Sequence, residues 1–167
     1  MKIIRTNSEN KDFIELVGLL DRDLAERDGE DHSFYAQFNK IDLIKHVVVV
    51  YDEDIPIACG AMKEFDEHTM EIKRMYTTNN RRGYGIATRI LREIENWAAE
   101  LSYTKCVLET GIKQPEAIGL YKKSGYSIIP NYGQYANVED SRCFEKVLIW
   151  VNYESINLIH SELMLKK

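Results

Sequence analysis

No stretch of this sequence is apolar for long enough to cross a bilayer; the four valines at 47–50 fall several-fold short of the required length. The first thirteen residues are polar and lack the apolar h-region of a secretory leader. Internal repeats, low-complexity tracts and linkers rich in proline, glycine or serine are also missing. The 167 residues therefore read as one domain over 1–150 with a C-terminal extension over 151–167. Basic charge does not prevail: 22 Lys and Arg stand against 27 Asp and Glu, a net of −5. That balance argues against a large nucleic-acid footprint and is compatible with a cationic or amine ligand. Cysteine is scarce. Cys59, Cys106 and Cys143 are odd in number and each lies in an apolar stretch, which suits small buried residues in a reducing, cytoplasmic compartment better than a disulfide framework. His32, His46, His68 and His160 have no metal-ligand spacing with one another or with cysteine, so no metal site is expected.

Hydrophobic periodicity divides the chain. Residues 2–6 read as a short strand. Residues 12–24 read as a helix, with Phe13, Leu16, Val17, Leu20 and Leu24 at helical spacing. Residues 28–42 are polar and aromatic, a loop with a short helix. Three strands follow at 46–51, 56–65 and 70–77, separated by acidic turns, as in an antiparallel meander. Residues 85–101 carry the strongest helical stripe, Ile86, Ile90, Ile94, Trp97 and Leu101, flanked by Ala87, Leu91 and Ala98. A strand at 105–109, a helix at 115–124 with Pro115 at its first position and Gly125 just past its end, and strands at 126–129 and 143–150 complete the pattern.

The informative segment joins the third meander strand to the strongest helix: Thr77, Thr78, Asn79, Asn80, Arg81, Arg82, Gly83, Tyr84, Gly85, Ile86, Ala87, Thr88. Glycine at a helix start lets backbone approach an anion closely. The first helical N–H groups have no intrahelical partner, and the helix dipole adds roughly half a positive charge. Arg81 and Arg82 add full charges, so the segment reads as a pyrophosphate site. No Gly-Lys-Ser/Thr follows, which excludes a Walker loop. A dinucleotide fold is the rival: Gly83 and Gly85 follow a strand, and the next strand ends on Glu109, where a ribose-binding acid could sit. Against it stand Thr88 in place of the third glycine, the antiparallel setting of the first strand, and too little chain for a second half.

Two motifs then carry a resemblance. Arg82-Gly83-Tyr84-Gly85-Ile86-Ala87 is similar to the Arg/Gln-x-x-Gly-x-Gly/Ala signature of the GNAT acetyltransferases. Ala117-Ile118-Gly119-Leu120-Tyr121-Lys122-Lys123-Ser124-Gly125-Tyr126 resembles their second signature, Ala-x-x-Leu-Tyr-x-x-x-Gly-Phe/Tyr. Order and spacing agree over about two-thirds of the chain. One departure is Gln114, where the family commonly has asparagine. The resemblance implies an α/β fold with a mixed, mostly antiparallel central sheet flanked by helices and splayed between the strands at 70–77 and 105–109. It implies acetyl-CoA as cosubstrate, with the pantetheine arm paired to the backbone around Met75, Tyr76 and Thr77 and the pyrophosphate on Arg81, Arg82, Gly83, Tyr84, Gly85, Ile86, Ala87 and Thr88, with Gln114 nearby.

The implied reaction, acetyl transfer to a primary amine, needs a proton acceptor, oxyanion donors and an acid for the departing thiolate. Tyr121, at the tyrosine position of the second signature, is the candidate acid. The same resemblance makes Glu71 the candidate base, with water as the alternative, since it lies on the strand where several GNAT enzymes carry a glutamate base, four residues before the pantetheine-binding backbone. Alternation puts Glu71 on one face with Lys73, Met75 and Thr77. A backbone N–H near Met75 is the implied oxyanion donor. Glu30, His32 and Tyr35 on one side, and Tyr135 on the other, are the candidate walls of an acceptor cleft, with a small-molecule amine as the expected acceptor. A noncatalytic acetyl-CoA sensor is the competing class of function. The tail at 152–167 carries Ile156, Ile159 and Leu163 at helical spacing and is expected to dock on its own domain or on a second copy in a homodimer.

Overall fold

The computed structural model describes residues 1–148; the expected docking tail lies outside the described residues. The elements run β1 (Lys2–Thr6), α1 (Lys11–Asp28), α2 (His32–Ala36), β2 (His46–Asp52), β3 (Ile55–Asp66), β4 (Thr69–Thr77), α3 (Ile86–Glu100), β5 (Lys105–Gly111), α4 (Pro115–Lys123), β6 (Ser127–Ile129) and β7 (Ser141–Val147). They form one seven-stranded sheet of order β1-β2-β3-β4-β5-β7-β6, antiparallel except for the β4–β5 pair. Among the described residues no helix is long and apolar enough to cross a membrane.

Helices cover both faces, which explains the four-valine run. Val48 and Val50 join the core beneath α3 and α4, with Ile86, Ile90, Leu91, Ile94 and Tyr121, whereas Val47 and Val49 join the core beneath α1, with Phe13, Leu16, Val17 and Leu20. A strand with apolar residues at every position is stable only where both faces are covered. The Asn10 side chain caps α1 by accepting from the Phe13 N–H at 2.9 Å, and the helix runs on to Asp28, four residues past the expected end. All three cysteines are buried and free, and burial pushes their thiols up to about 12, 12 and 11, so they are inert at neutral pH.

The sheet parts at one place. β4 and β5 pair only through Thr69–Lys105, Met70–Cys106 and Glu71–Val107; beyond Glu71 the strands diverge, as expected for the splay. Just past that point, the β3–β4 register shifts between Cys59–Tyr76 and Ala61–Lys73, so Arg74 and Met75 together oppose Gly60. This is a β-bulge. Arg74 has φ +58, a left-handed conformation that costs a non-glycine residue about 1–3 kcal/mol. Its guanidinium, buried on the α1 side, reaches Asp21 and the Val17 carbonyl. Gly60 is required opposite: a Cβ there would lie 2.6 Å from Met75 Sδ, 2.7 Å from Ile90 Cγ2 and 2.9 Å from Ile94 Cδ1.

The bulge corrects one expectation. Strict alternation would keep Glu71, Lys73, Met75 and Thr77 on a single face. The extra residue inverts the parity: Met75 packs with the α3 core, Tyr76 packs with the α1 core, and Thr77 pairs with Ala58 of the α3 core. Glu71 and Lys73 therefore face away from Met75 and Thr77.

Candidate active site

The divergence of β4 from β5 opens a cavity of about 630 Å³ that runs from the start of α3, between the two strands, to the end of α1 and the α2 segment. At one end lies the glycine segment. Gly83 (φ +83) and Gly85 (φ +75) hold backbone conformations that side chains disfavour. The first intrahelical bond of α3 runs from the Arg89 N–H to the Gly85 carbonyl at 3.2 Å, which leaves the amides of Ile86, Ala87 and Thr88 without intrahelical partners. Arg81, Arg82, Gly83, Gly85, Ile86, Ala87 and Thr88 all border the cavity, whereas the Tyr84 ring is 75% exposed and does not.

Both arginines are already engaged. Arg81 pairs with Asp52 at 2.6 Å. Arg82 pairs with Asp23 at 2.7 Å, donates from Nε to the Thr77 carbonyl at 2.9 Å, and lies over the Tyr76 ring. The helix start therefore provides the unpaired donors, and the arginines provide charge that an anion must share with Asp23 and Asp52.

Along the middle of the cavity, Met75, Tyr76 and Thr77 present the stretch of β4 that has no strand partner on its β5 side. The Thr77 hydroxyl is buried with no hydrogen-bond partner among the described residues. An unpaired strand edge and an orphaned hydroxyl suit an extended chain carrying amide groups. Gln114, at the N-terminus of α4, borders the opposite wall.

Tyr121 reaches the cavity from α4. Its ring packs against Tyr126 and Phe144, each 5.9 Å away, and burial, with the charge of Glu109 as a second cause, pushes its phenol up. It is thus protonated at any physiological pH. Glu71 does not border the cavity. It is buried, with the Tyr132 hydroxyl donating to Oε2 at 2.8 Å and the Lys73 ammonium to Oε1 at 3.3 Å, so both oxygens are occupied.

A different carboxyl does border the cavity. Glu109, near the end of β5, accepts from the Ser141 hydroxyl at 2.7 Å on Oε1, and its other oxygen accepts no hydrogen bond among the described residues. Burial pushes it up to about 7; the Ser141 bond and Lys73 oppose the shift, and Glu71 and Asp28 add to it. In the sequence, its only signal was a carboxylate at the end of an apolar strand. Tyr35 and Tyr135 flank this end of the cavity, whereas Glu30 and His32 lie outside it. Asp28, two residues before Glu30, does border it.

Residues 13–126 match the acetyltransferase (GNAT) family. The chain belongs to that family. The GNAT chain is 34% identical over 98 residues to a Xenopus tropicalis protein named "Probable N-acetyltransferase 14", covering 57% of this chain and 48% of that one. It is also 34% identical over 93 residues to an IAA acetyltransferase of Azospirillum brasilense, covering 55% of this chain and 61% of the relative. It thus spans about half to three-fifths of these relatives. A solved GNAT-family acetyltransferase from Staphylococcus aureus superposes with a TM-score of 0.67 at 17% identity, covering 89% of this chain and 99% of that one, a likeness of fold. Coenzyme A complexes occur among the solved structures of this fold.

Proposed function

We propose that this chain transfers the acetyl group of acetyl-CoA to a primary amine of a small molecule by direct attack, with Glu109 as base and Tyr121 as hydrogen-bond donor to the departing sulfur. The observation that carries the proposal is one continuous cavity that joins unpaired helix-start amides, an unpaired strand edge, a protonated tyrosine and a carboxyl poised near neutrality. Acetyl-CoA supplies an activated thioester; the chain's own groups hold it and move protons.

The amides of Ile86, Ala87 and Thr88 suit the pyrophosphate, and the β4 edge from Met75 to Thr77 suits the pantetheine amides. A backbone N–H of the Arg74–Met75 bulge is the candidate oxyanion donor. An alkylammonium has a pKa of about 10, so almost none is nucleophilic at neutral pH. Glu109 near 7 is partly ionised at neutral pH and basic enough in that form to take the proton. Glu71 is less suited, since both oxygens are held and it stands outside the cavity; its charge helps raise Glu109. The Tyr121 phenol is a weaker acid than a thiol, so its part is a hydrogen bond to the leaving sulfur and not net proton loss. As the C–N bond forms and the C–S bond breaks, the nitrogen's second proton passes to the thiolate, and Glu109 returns the first to solvent.

The test is a screen of amines with acetyl-CoA, read by release of free thiol. Saturable acetyl-CoA binding with no thiol release from any amine would replace this proposal with a noncatalytic acetyl-CoA sensor.

A further inference from the structure

The acceptor end of the cavity holds more negative charge than the reaction needs. The cations around it are each matched by a carboxylate: Lys73 by Glu71 at 3.3 Å, Lys113 by Asp31 at 3.4 Å, and Arg27 by Glu116. Two carboxyls that border the cavity have no such lysine or arginine partner. Neither Asp28 nor Glu109 pairs with a lysine or arginine among the described residues. Asp28 is 6% exposed; its nearest cationic partner is His32, with Nδ1 at 3.9 Å, and the Lys113 ammonium donates to the Asp28 backbone carbonyl at 3.3 Å, yet burial outweighs both and pushes the Asp28 carboxyl up. A buried carboxylate held only by a histidine at that distance is incompletely compensated, and a cation entering the cavity offsets what remains of the cost.

From this arrangement we propose that the acceptor is an amine bearing a second cationic group: the reacting nitrogen lies at Glu109, and the second ammonium is held by Asp28 between the Tyr35 and Tyr135 rings. The proposal rests on the acetyl-transfer reading for the first nitrogen, while the Asp28 subsite stands on its own contacts. Tyrosine faces favour an ammonium through their quadrupole, so the walls reinforce the carboxylate. The orientation follows from the chemistry: the charge of Glu109 acts on the Tyr121 phenol, which places it on the thioester side, whereas Asp28 borders the cavity from the terminus of α1. A monoamine of equal length fills the same space and leaves Asp28 with His32 alone.

The experiment compares length-matched pairs, 1,4-diaminobutane with n-butylamine and 1,6-diaminohexane with n-hexylamine, on the full chain with acetyl-CoA. A charge-assisted hydrogen bond gained in the complex corresponds to roughly a 10- to 100-fold higher kcat/KM for the better-fitting diamine. Asp28→Asn, checked for an unchanged melting profile, collapses that ratio towards one, and Asp28→Glu restores part of it. Equal kcat/KM for diamine and monoamine in the parent overturns the proposal, as does an equal loss on both substrates in Asp28→Asn. A chain that releases no thiol with any amine refutes the acetyl-transfer reading alone. In that case calorimetric titration with 1,4-diaminobutane decides the subsite: binding that Asp28→Asn weakens supports it, and absence of binding at millimolar concentration overturns it.

Discussion

Glu109→Gln separates the proposed mechanism from uncatalysed attack through the shape of its pH profile. If Glu109 takes the proton from a bound ammonium, the productive state pairs an ionised Glu109 with a protonated amine. The parent's kcat/KM then rises about tenfold per pH unit up to roughly 7, where Glu109 ionises, and stays level until the amine itself titrates near 10. The glutamine variant can use only the minor free-amine form, so its kcat/KM climbs about tenfold per unit throughout that interval. The gap is widest at and below pH 7, at about 10²- to 10⁴-fold, and it shrinks by about tenfold per unit above it. The assay is thiol release at subsaturating amine between pH 6 and 10. A level region that begins near pH 7 in both proteins, or parallel profiles, refutes Glu109 as the base. The same substitution has a second, independent signature. A carboxyl raised from 4.5 to about 7 binds its proton more tightly in the folded chain than in the unfolded one, so it costs nothing below 4.5 and its penalty grows as pH rises through 7. After part of that cost is screened, Glu109→Gln is expected to stabilise the protein by about 2–3 kcal/mol at pH 8, with the gain vanishing near pH 4.5 in thermal melts.

Other substitutions probe the remaining parts of the cavity. Tyr121→Phe keeps the ring packed against Tyr126 and Phe144 and is expected to lower turnover by about 10²-fold while changing coenzyme A affinity, measured by calorimetry, only slightly. Gly85→Asp forces a side chain into φ +75 and sets a carboxylate at the free amides of α3; it is expected to weaken coenzyme A binding by about 100-fold or more, and tight NAD binding by the parent without coenzyme A binding would revive the dinucleotide rival. Gly60→Ala drives a Cβ into Met75, Ile90 and Ile94 at once and is expected to cost about 1–3 kcal/mol in chemical denaturation, whereas Gly119→Ala, inside α4 with nothing within 4 Å, is expected to stabilise by about 0.5–1 kcal/mol.

Much of the fold was legible because its signals are local. The stripe of α3, the Pro115 and Gly125 punctuation of α4 and the meander of neighbouring strands are each written in residues close in sequence, and each appears where expected. The glycine segment was legible because a helix start needs only its own backbone to bind an anion. The partners of Arg81 and Arg82 were not, since Asp52 and Asp23 lie about thirty and sixty residues away and nothing local announces either pair. Glu109 was passed over for the same reason: its shifted proton affinity comes from burial and from Ser141, Lys73, Glu71 and Asp28, which only the folded sheet assembles.

The bulge ties these differences together. A one-residue insertion in β4 leaves no compositional trace beyond Gly60 opposite it, yet it inverts the parity of every residue that follows. Read with unbroken alternation, Glu71 shares a face with the strand edge that would hold the cosubstrate, which adds to the family resemblance that made it the candidate base. With the bulge, Glu71 and Lys73 remain on the α1 side while Met75 and Thr77 turn to the α3 side, at the point where β4 leaves β5. The left-handed Arg74 that makes this turn is held through its guanidinium by Asp21 and the Val17 carbonyl, so α1 fixes the shape of the strand edge. The same helix ends at Asp28, at the acceptor end of the cavity. One rigid element thus sets both the strand edge proposed for the thioester arm and the carboxylate proposed for the acceptor's second charge. In the mechanism proposed on that geometry, the carboxyl that meets the reacting nitrogen comes from β5, across the gap, and not from β4.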